Sequence, residues 1–199
     1  MELRGQHVRV IPMEVGHIEA LFEAGQDPRI WKYMFVQVST LQDMRDLVEQ
    51  ALAQRDAGTE YPFVVEDLQS RRIVGSTRFL DISPTHRHVE IGWTWYTPSV
   101  WRTAVNTETK YLLLRHCFER LQLIRVQLKT DSRNVTSQRA IERIGATREG
   151  VLRKHMVLRG YVRDSVYYSI LDREWETVKL GLEKMLDPIH YNQSSQWKL

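Results

Sequence analysis

Residues 61–96 limit the possible folds of this chain more than any other stretch. Runs 61–66, 73–82 and 88–96 are rich in β-branched and aromatic side chains, and the short segments 67–72 and 83–87 separate them. Connections this short leave room only for antiparallel neighbours, so the three runs form a meander. The period then changes. Residues 107–121 read as a helix and 125–130 as a further strand, which adds a β-α-β crossover. Mixed α/β architecture with a mainly antiparallel sheet follows.

The flanks extend this frame. Residues 7–11 alternate like a strand and stop at Pro12, and Ile18, Leu21 and Phe22 form a helical stripe. A second helix over 41–57 opens with Thr40 and Asp43 at capping-box spacing and ends at Gly58. Its stripe is Met44, Leu47, Val48, Ala51 and Leu52. Residues 137–144 make a short helix closed by Gly145. Strands 151–158 and 165–171 flank the turn at Arg159-Gly160, and a last helix runs to Pro188. The 199 residues read as one domain over 1–190 with a loose tail over 191–199.

Composition excludes several classes. The charge balance is 28 Lys+Arg against 25 Asp+Glu, and the basic residues form no aromatic-interleaved cluster, so direct nucleic-acid binding is not expected despite a pI near 9.0. No apolar run approaches the roughly 20 residues of a membrane span. The single Cys117 cannot form an intrachain disulfide or a cysteine-based zinc site, which points to a cytoplasmic protein. Its helical spacing to Leu113 and Leu121 marks it as core. His86 and His88 lack a carboxylate in sequence reach, so no metal is expected.

Chemistry is to be sought at strand-to-helix junctions, where unpaired N–H groups and the positive end of a helix dipole suit a phosphate. One such junction runs Glu90-Ile-Gly-Trp-Thr-Trp95 to Trp101-Arg-Thr-Ala-Val-Asn-Thr-Glu108. Beyond it lie Asn134-Val-Thr-Ser137, Ala140-Ile-Glu-Arg-Ile-Gly-Ala146, Glu149-Gly150 and Asp164-Ser-Val-Tyr-Tyr168. As a spaced set these blocks resemble the GNAT (GCN-five-related) N-acetyltransferases, in particular the RimJ/RimL ribosomal-protein branch. The match extends from about Leu3 to Trp175.

The resemblance implies a GNAT fold whose fourth and fifth strands splay, with acetyl-CoA or another acyl-CoA as co-substrate in the gap. It implies direct transfer to a primary amine, on a protein N-terminus or a small molecule, in a ternary complex. A homodimer is left open, and a non-catalytic CoA-sensing module is the alternative. Trp93, Thr94 and Trp95 would line the donor. Arg102, Thr103, Ala104, Val105, Asn106 and Thr107 would hold the pyrophosphate, with Arg139 and Arg143 assisting. The two glycines common in that loop are replaced by Ala104 and Asn106, and Asn106 is expected to take the left-handed backbone that Asn tolerates. Asn134 would bind pantetheine. Ser137 would act on the departing thiolate or cap the following helix.

Glu90 is the candidate general base, placed by strand alternation on one face with Gly92 and Thr94. Tyr168 is a reserve acid, and Glu149 is expected to be structural. The branch often carries a base nineteen residues beyond this Ser, and Met156 stands there, beside His155. Either Glu90, His155 or water therefore takes the amine proton. Trp31, Tyr33 and Phe35 either wall the acceptor pocket or fill the core.

Overall fold

A computed structural model describes residues 1–187. The strands are β1 (Leu3–Arg4), β2 (Val8–Pro12), β3 (Tyr61–Asp67), β4 (Arg72–Ser83), β5 (His88–Tyr96), β6 (Arg125–Asp131), β7 (Thr147–Leu158) and β8 (Tyr161–Leu171). The helices are α1 (Ile18–Ala24), α2 (Leu41–Asp56), α3 (Ala104–Arg115), α4 (Val135–Arg143) and α5 (Trp175–Leu186). One eight-stranded sheet in the order β1-β2-β3-β4-β5-β6-β8-β7 holds them together. Every neighbouring pair is antiparallel except β5 and β6, which α3 joins by the expected crossover. The tail over 191–199 and the domain boundary at 190 lie outside the described residues.

Two apolar clusters cover the two faces. Val89, Ile91, Val126, Leu128, Val166 and Ile170 pack with Leu112 and Leu113 of α3 and Trp175 and Leu182 of α5. On the other face Met44, Leu47 and Val48 of α2 pack with Leu21 of α1, Trp31 and Trp95, whose indoles lie 5.1 Å apart. Cys117 is fully buried in the first cluster, which pushes its thiol pKa up. Thr40 and Asp43 close the capping box of α2, and Gly145 (φ 92) follows α4 in the left-handed region.

Helix bounds differ from the sequence expectation where caps decide them. α3 starts at Ala104 rather than at 107, because the Thr103 hydroxyl accepts from the Val105 N–H at 3.3 Å. It ends in a wider turn over His116–Arg120, where the Leu121 N–H bonds to the His116 carbonyl. α4 starts at Val135 because Asn134 caps it.

Candidate active site

β5 and β6 are partners only at their beginnings. His88 faces Arg125, Val89 faces Val126 and Glu90 faces Gln127. Beyond that point β5 stays on β4 as far as Tyr96, while β6 stays on β8 as far as Asp131. The two facing edges carry no strand partner, so their peptide groups are open to a ligand that pairs like a strand. The divergence has a local cause. Trp93 adopts φ 50, and the β4–β5 register shifts beside it, which is a bulge.

That bulge corrects one expectation. Thr94 does not share a face with Glu90. Val89 and Ile91 point towards α3, whereas after the extra residue Tyr96 joins that cluster and Trp93 and Trp95 turn to the α2 side. Thr94 accordingly meets α3: Lys110 Nζ donates to its Oγ1 at 2.8 Å, and its hydroxyl bonds to Thr77 Oγ1 at 2.8 Å. Lys110 is 5 % exposed, and burial draws its pKa down to about 7.

At the far end of β5 the chain turns onto α3. Asn106 is not the left-handed residue; it lies in the first turn of the helix. Arg102 takes that conformation instead (φ 62), one residue before the Thr103 cap. Once Thr103 starts the helix, Asn106 must be helical, and the change of direction falls on the preceding residue. Ala104 and Val105 are buried, Arg102 is exposed, and Thr107 accepts from Arg143 of α4 at 2.9 Å. Arg139 is exposed and makes no hydrogen bond or ion pair among the described residues.

α4 borders the gap on the β6 side. The Asn134 side-chain carbonyl accepts from the Ser137 N–H at 3.1 Å, so Asn134 is the helix cap and Ser137 is the third residue of the helix. The Ser137 hydroxyl has no partner among the described residues and is free to act on a ligand. Tyr168 is fully buried; it donates to Glu142 Oε1 at 3.0 Å, and burial, then Glu142, raises its pKa to about 12. It faces the apolar cluster rather than the Glu90 side.

Glu90 is 2 % exposed, and both its oxygens are engaged. Lys129 Nζ lies 3.1 Å from Oε1, and Gln127 Nε2 donates to Oε2 at 3.0 Å. The same face carries Tyr167, Ser169, Ser165 and Arg163, set by the pairing of β6 with β8. A bulge in β7 (Lys154, φ 50) brings His155 to Ser165 at 3.0 Å and to Tyr167 at 3.4 Å. Burial, then Lys129 and Arg163, lowers the His155 pKa, so the ring is neutral at pH 7. Glu149 is paired to Arg125 by two bonds of 2.6 Å and accepts from Ser169, which hold its pKa near 2. The aromatic run divides: Trp31 is core, whereas Phe35 lies 5.6 Å from Trp93 and Tyr33 lies 5.7 Å from the Arg133 guanidinium.

Sequence reasoning missed Lys110, Lys129 and Arg163. A signal existed for the last two, since polar residues alternate with Val126, Leu128, Val166 and Ile170 on both strands. Lys110 gave none, because a lysine in an amphipathic helix normally faces water. A cleft of about 1120 Å³ between α1, the β3–β4 turn and Val105 contains neither Glu90 nor Ser137. Among the described residues no His, Cys, Asp and Glu group could hold a metal ion, and no helix is long and apolar enough to cross a membrane.

Residues 7–147 match the sequence family described as an acetyltransferase (GNAT) domain. Over 175 residues, 88 % of this chain and 99 % of the relative, the chain is 25 % identical to the uncharacterised N-acetyltransferase YnaD of Bacillus subtilis. It superposes on a GCN5-related N-acetyltransferase from Brucella melitensis with TM-score 0.89 and 27 % identity, covering 94 % of this chain and 86 % of that one. It shares its fold with the spermidine N-acetyltransferase from Vibrio cholerae, solved in complex with CoA and spermine. That likeness has TM-score 0.70 and 20 % identity, over 86 % and 99 % of the two chains.

Proposed function

Since this chain belongs to the GNAT acetyltransferase family and is an acyl-CoA-dependent N-acetyltransferase, we propose that it moves an acetyl group directly onto an α-amine, with donor and acceptor bound together. The observation that carries this reading is the gap between β5 and β6, which opens between the α3 N-terminus and the free hydroxyl of Ser137. The residues there fit acyl-CoA. Unpaired strand edges match the two amides of a pantetheine arm, and the first turn of α3 with Arg102 beside it suits a pyrophosphate. Asn134 has its side-chain amide nitrogen left to offer, since its oxygen caps α4.

Each group has a task. The acceptor nitrogen must lose a proton, attack the thioester carbonyl and displace the thiolate, which then takes a proton. Glu90 is a poor proton acceptor while Lys129 and Gln127 hold both its oxygens, so its task is to keep the acceptor face electrostatically fixed. His155, neutral and only partly buried, takes the proton. Its ring nitrogens face hydroxyls, Ser165 Oγ at 3.0 Å and Tyr167 Oη at 3.4 Å, which can turn their protons away, whereas Lys129 and Gln127 can only donate to Glu90. The Ser137 hydroxyl protonates or hydrogen-bonds the thiolate.

A single modest base favours an amine that is already partly neutral. An α-amine with pKa near 7.7–8.0 is neutral far more often at pH 7 than a lysine near 10.4, a difference worth on the order of 3 kcal/mol. A thiol-release assay should therefore show faster turnover of a peptide with a free N-terminus than of its acetyl-capped, lysine-bearing counterpart. The reverse order would refute the α-amine assignment. In the same assay Ser137→Ala should lower kcat by about 10²-fold with CoA affinity within a few fold. An unchanged kcat would leave Ser137 a structural residue of α4.

A further inference from the structure

We infer that Arg163 anchors a carboxylate carried by the amine acceptor, next to the nitrogen that is acetylated. This rests on the acyl-transfer reading above and adds a substrate class to it. Arg163 precedes Ser165, Tyr167 and Ser169 at two-residue spacing on β8, so it lies on the Glu90 face. Its guanidinium carbon is 5.7 Å from the Phe35 ring centroid, and Phe35 leans on Trp93, the residue at which β5 departs from β6. Arg163 therefore faces the widening part of the gap, where the reacting end of the donor would meet the acceptor.

The side chain is 5 % exposed and has no hydrogen bond or ion pair among the described residues. Its Nε is sealed from solvent without a partner, and its two terminal nitrogens have no partner among the described residues. Nearby carboxylates do not explain it. Asp131 is taken by Arg133, at 3.0 and 2.8 Å, and Glu90 by Lys129 and Gln127. Arg78 makes the contrast: it is as deeply buried and its Nε is likewise unpartnered, but its terminal nitrogen Nη1 pairs with Glu60 at 2.9 Å, whereas Arg163 has no carboxylate on any nitrogen. Burying an unpaired cation is costly, and arginine cannot escape by losing its proton. A ligand anion resolves the cost, and a planar guanidinium with both terminal nitrogens open is shaped for a carboxylate.

Two sources of that carboxylate have the same chemistry: the α-carboxylate of a free amino acid, or an acidic side chain just after the N-terminus of a peptide. Matched pairs distinguish them, namely amino acids against their amides, and peptides with Asp against Asn at the second position. In one of these pairs kcat/KM of the acidic member should exceed that of its neutral partner by roughly tenfold or more. Arg163→Gln should bring the ratio to within about threefold, mainly through KM, and Arg163→Lys should keep part of it. Melting temperatures check that both variants are folded.

Equal turnover within both pairs by the wild type, or a ratio that survives in Arg163→Gln, would overturn the inference. If the protein binds CoA but acetylates neither member, calorimetry with CoA present decides. Binding of the acidic amine that Arg163→Gln abolishes supports the assignment, and equal or absent binding contradicts it. Failure to bind CoA would instead defeat the donor reading itself.

Discussion

β5 has a buried cation on each side, and the two sides treat it differently. Under α3, Lys110 sits among apolar residues and has one neutral partner, the Thr94 hydroxyl. Across the sheet, Lys129 is paired with Glu90, and Arg163 lies among groups that are charged but already engaged. A lysine can shed its proton, and its pKa of about 7 is the measure of that relief. Arginine has no such route. The buried charge on the α3 side can thus be relieved by the chain alone, whereas the one on the Glu90 side calls for a ligand. That separates a structural cation from a binding one without reference to any cavity.

Lys110 gives the largest effect. Its folded pKa lies below the unfolded value of 10.5, so between about 7 and 10.5 the unfolded chain holds more protons and stability rises with pH. Lys110→Met should raise stability at pH 6 by up to about 4 kcal/mol and remove that rise, as read by urea unfolding across pH. A variant that keeps the same pH slope would show that the cation is solvated after all, and the contrast between the faces would fail.

The opposite face should respond in the opposite sense. Glu90→Ala leaves Lys129 without its partner on a largely buried face, and should cost about 3 kcal/mol. A Glu90→Ala, Lys129→Met double variant should recover much of that loss, since the two residues are coupled. If the single variant is neutral, the pair is not what sets this face.

The smallest effect tests the turn that joins the two. Arg102→Val should lose roughly 1–2 kcal/mol of stability, because a β-branched residue resists the left-handed backbone, while Arg102→Gly should not. Asn106→Val, in a helical turn, should cost only a few tenths of a kcal/mol. Thermal unfolding of the three side by side gives the order.

Much of the sheet was legible because its strands carry period-two patterns and its turns are short. The crossover, the cap at Thr40 and the glycine after α4 could be read in the same way. The bulge at Trp93 could not. Nothing in Gly-Trp-Thr-Trp marks an extra residue, yet that residue moves Thr94 from the Glu90 face to the Lys110 side. Asn106 shows a related effect. Its position often carries glycine and so suggests a left-handed backbone, whereas the Thr103 cap moves that need to Arg102. Pairings such as Glu90 with Lys129 across β5 and β6, and His155 with Tyr167 across the bulged β7–β8 hairpin, depend on register, which single-sequence alternation does not fix.

The central claim is that acyl-CoA occupies the space that opens when β5 leaves β6. A crystal structure of the complex with CoA tests it most directly. The pantetheine arm should lie between 91–96 of β5 and 128–131 of β6, with the pyrophosphate over Arg102 and the first turn of α3, and with the sulfur close to the Ser137 hydroxyl. CoA bound instead in the cleft between α1 and the β3–β4 turn, with the β5–β6 gap closed or empty, would contradict the account.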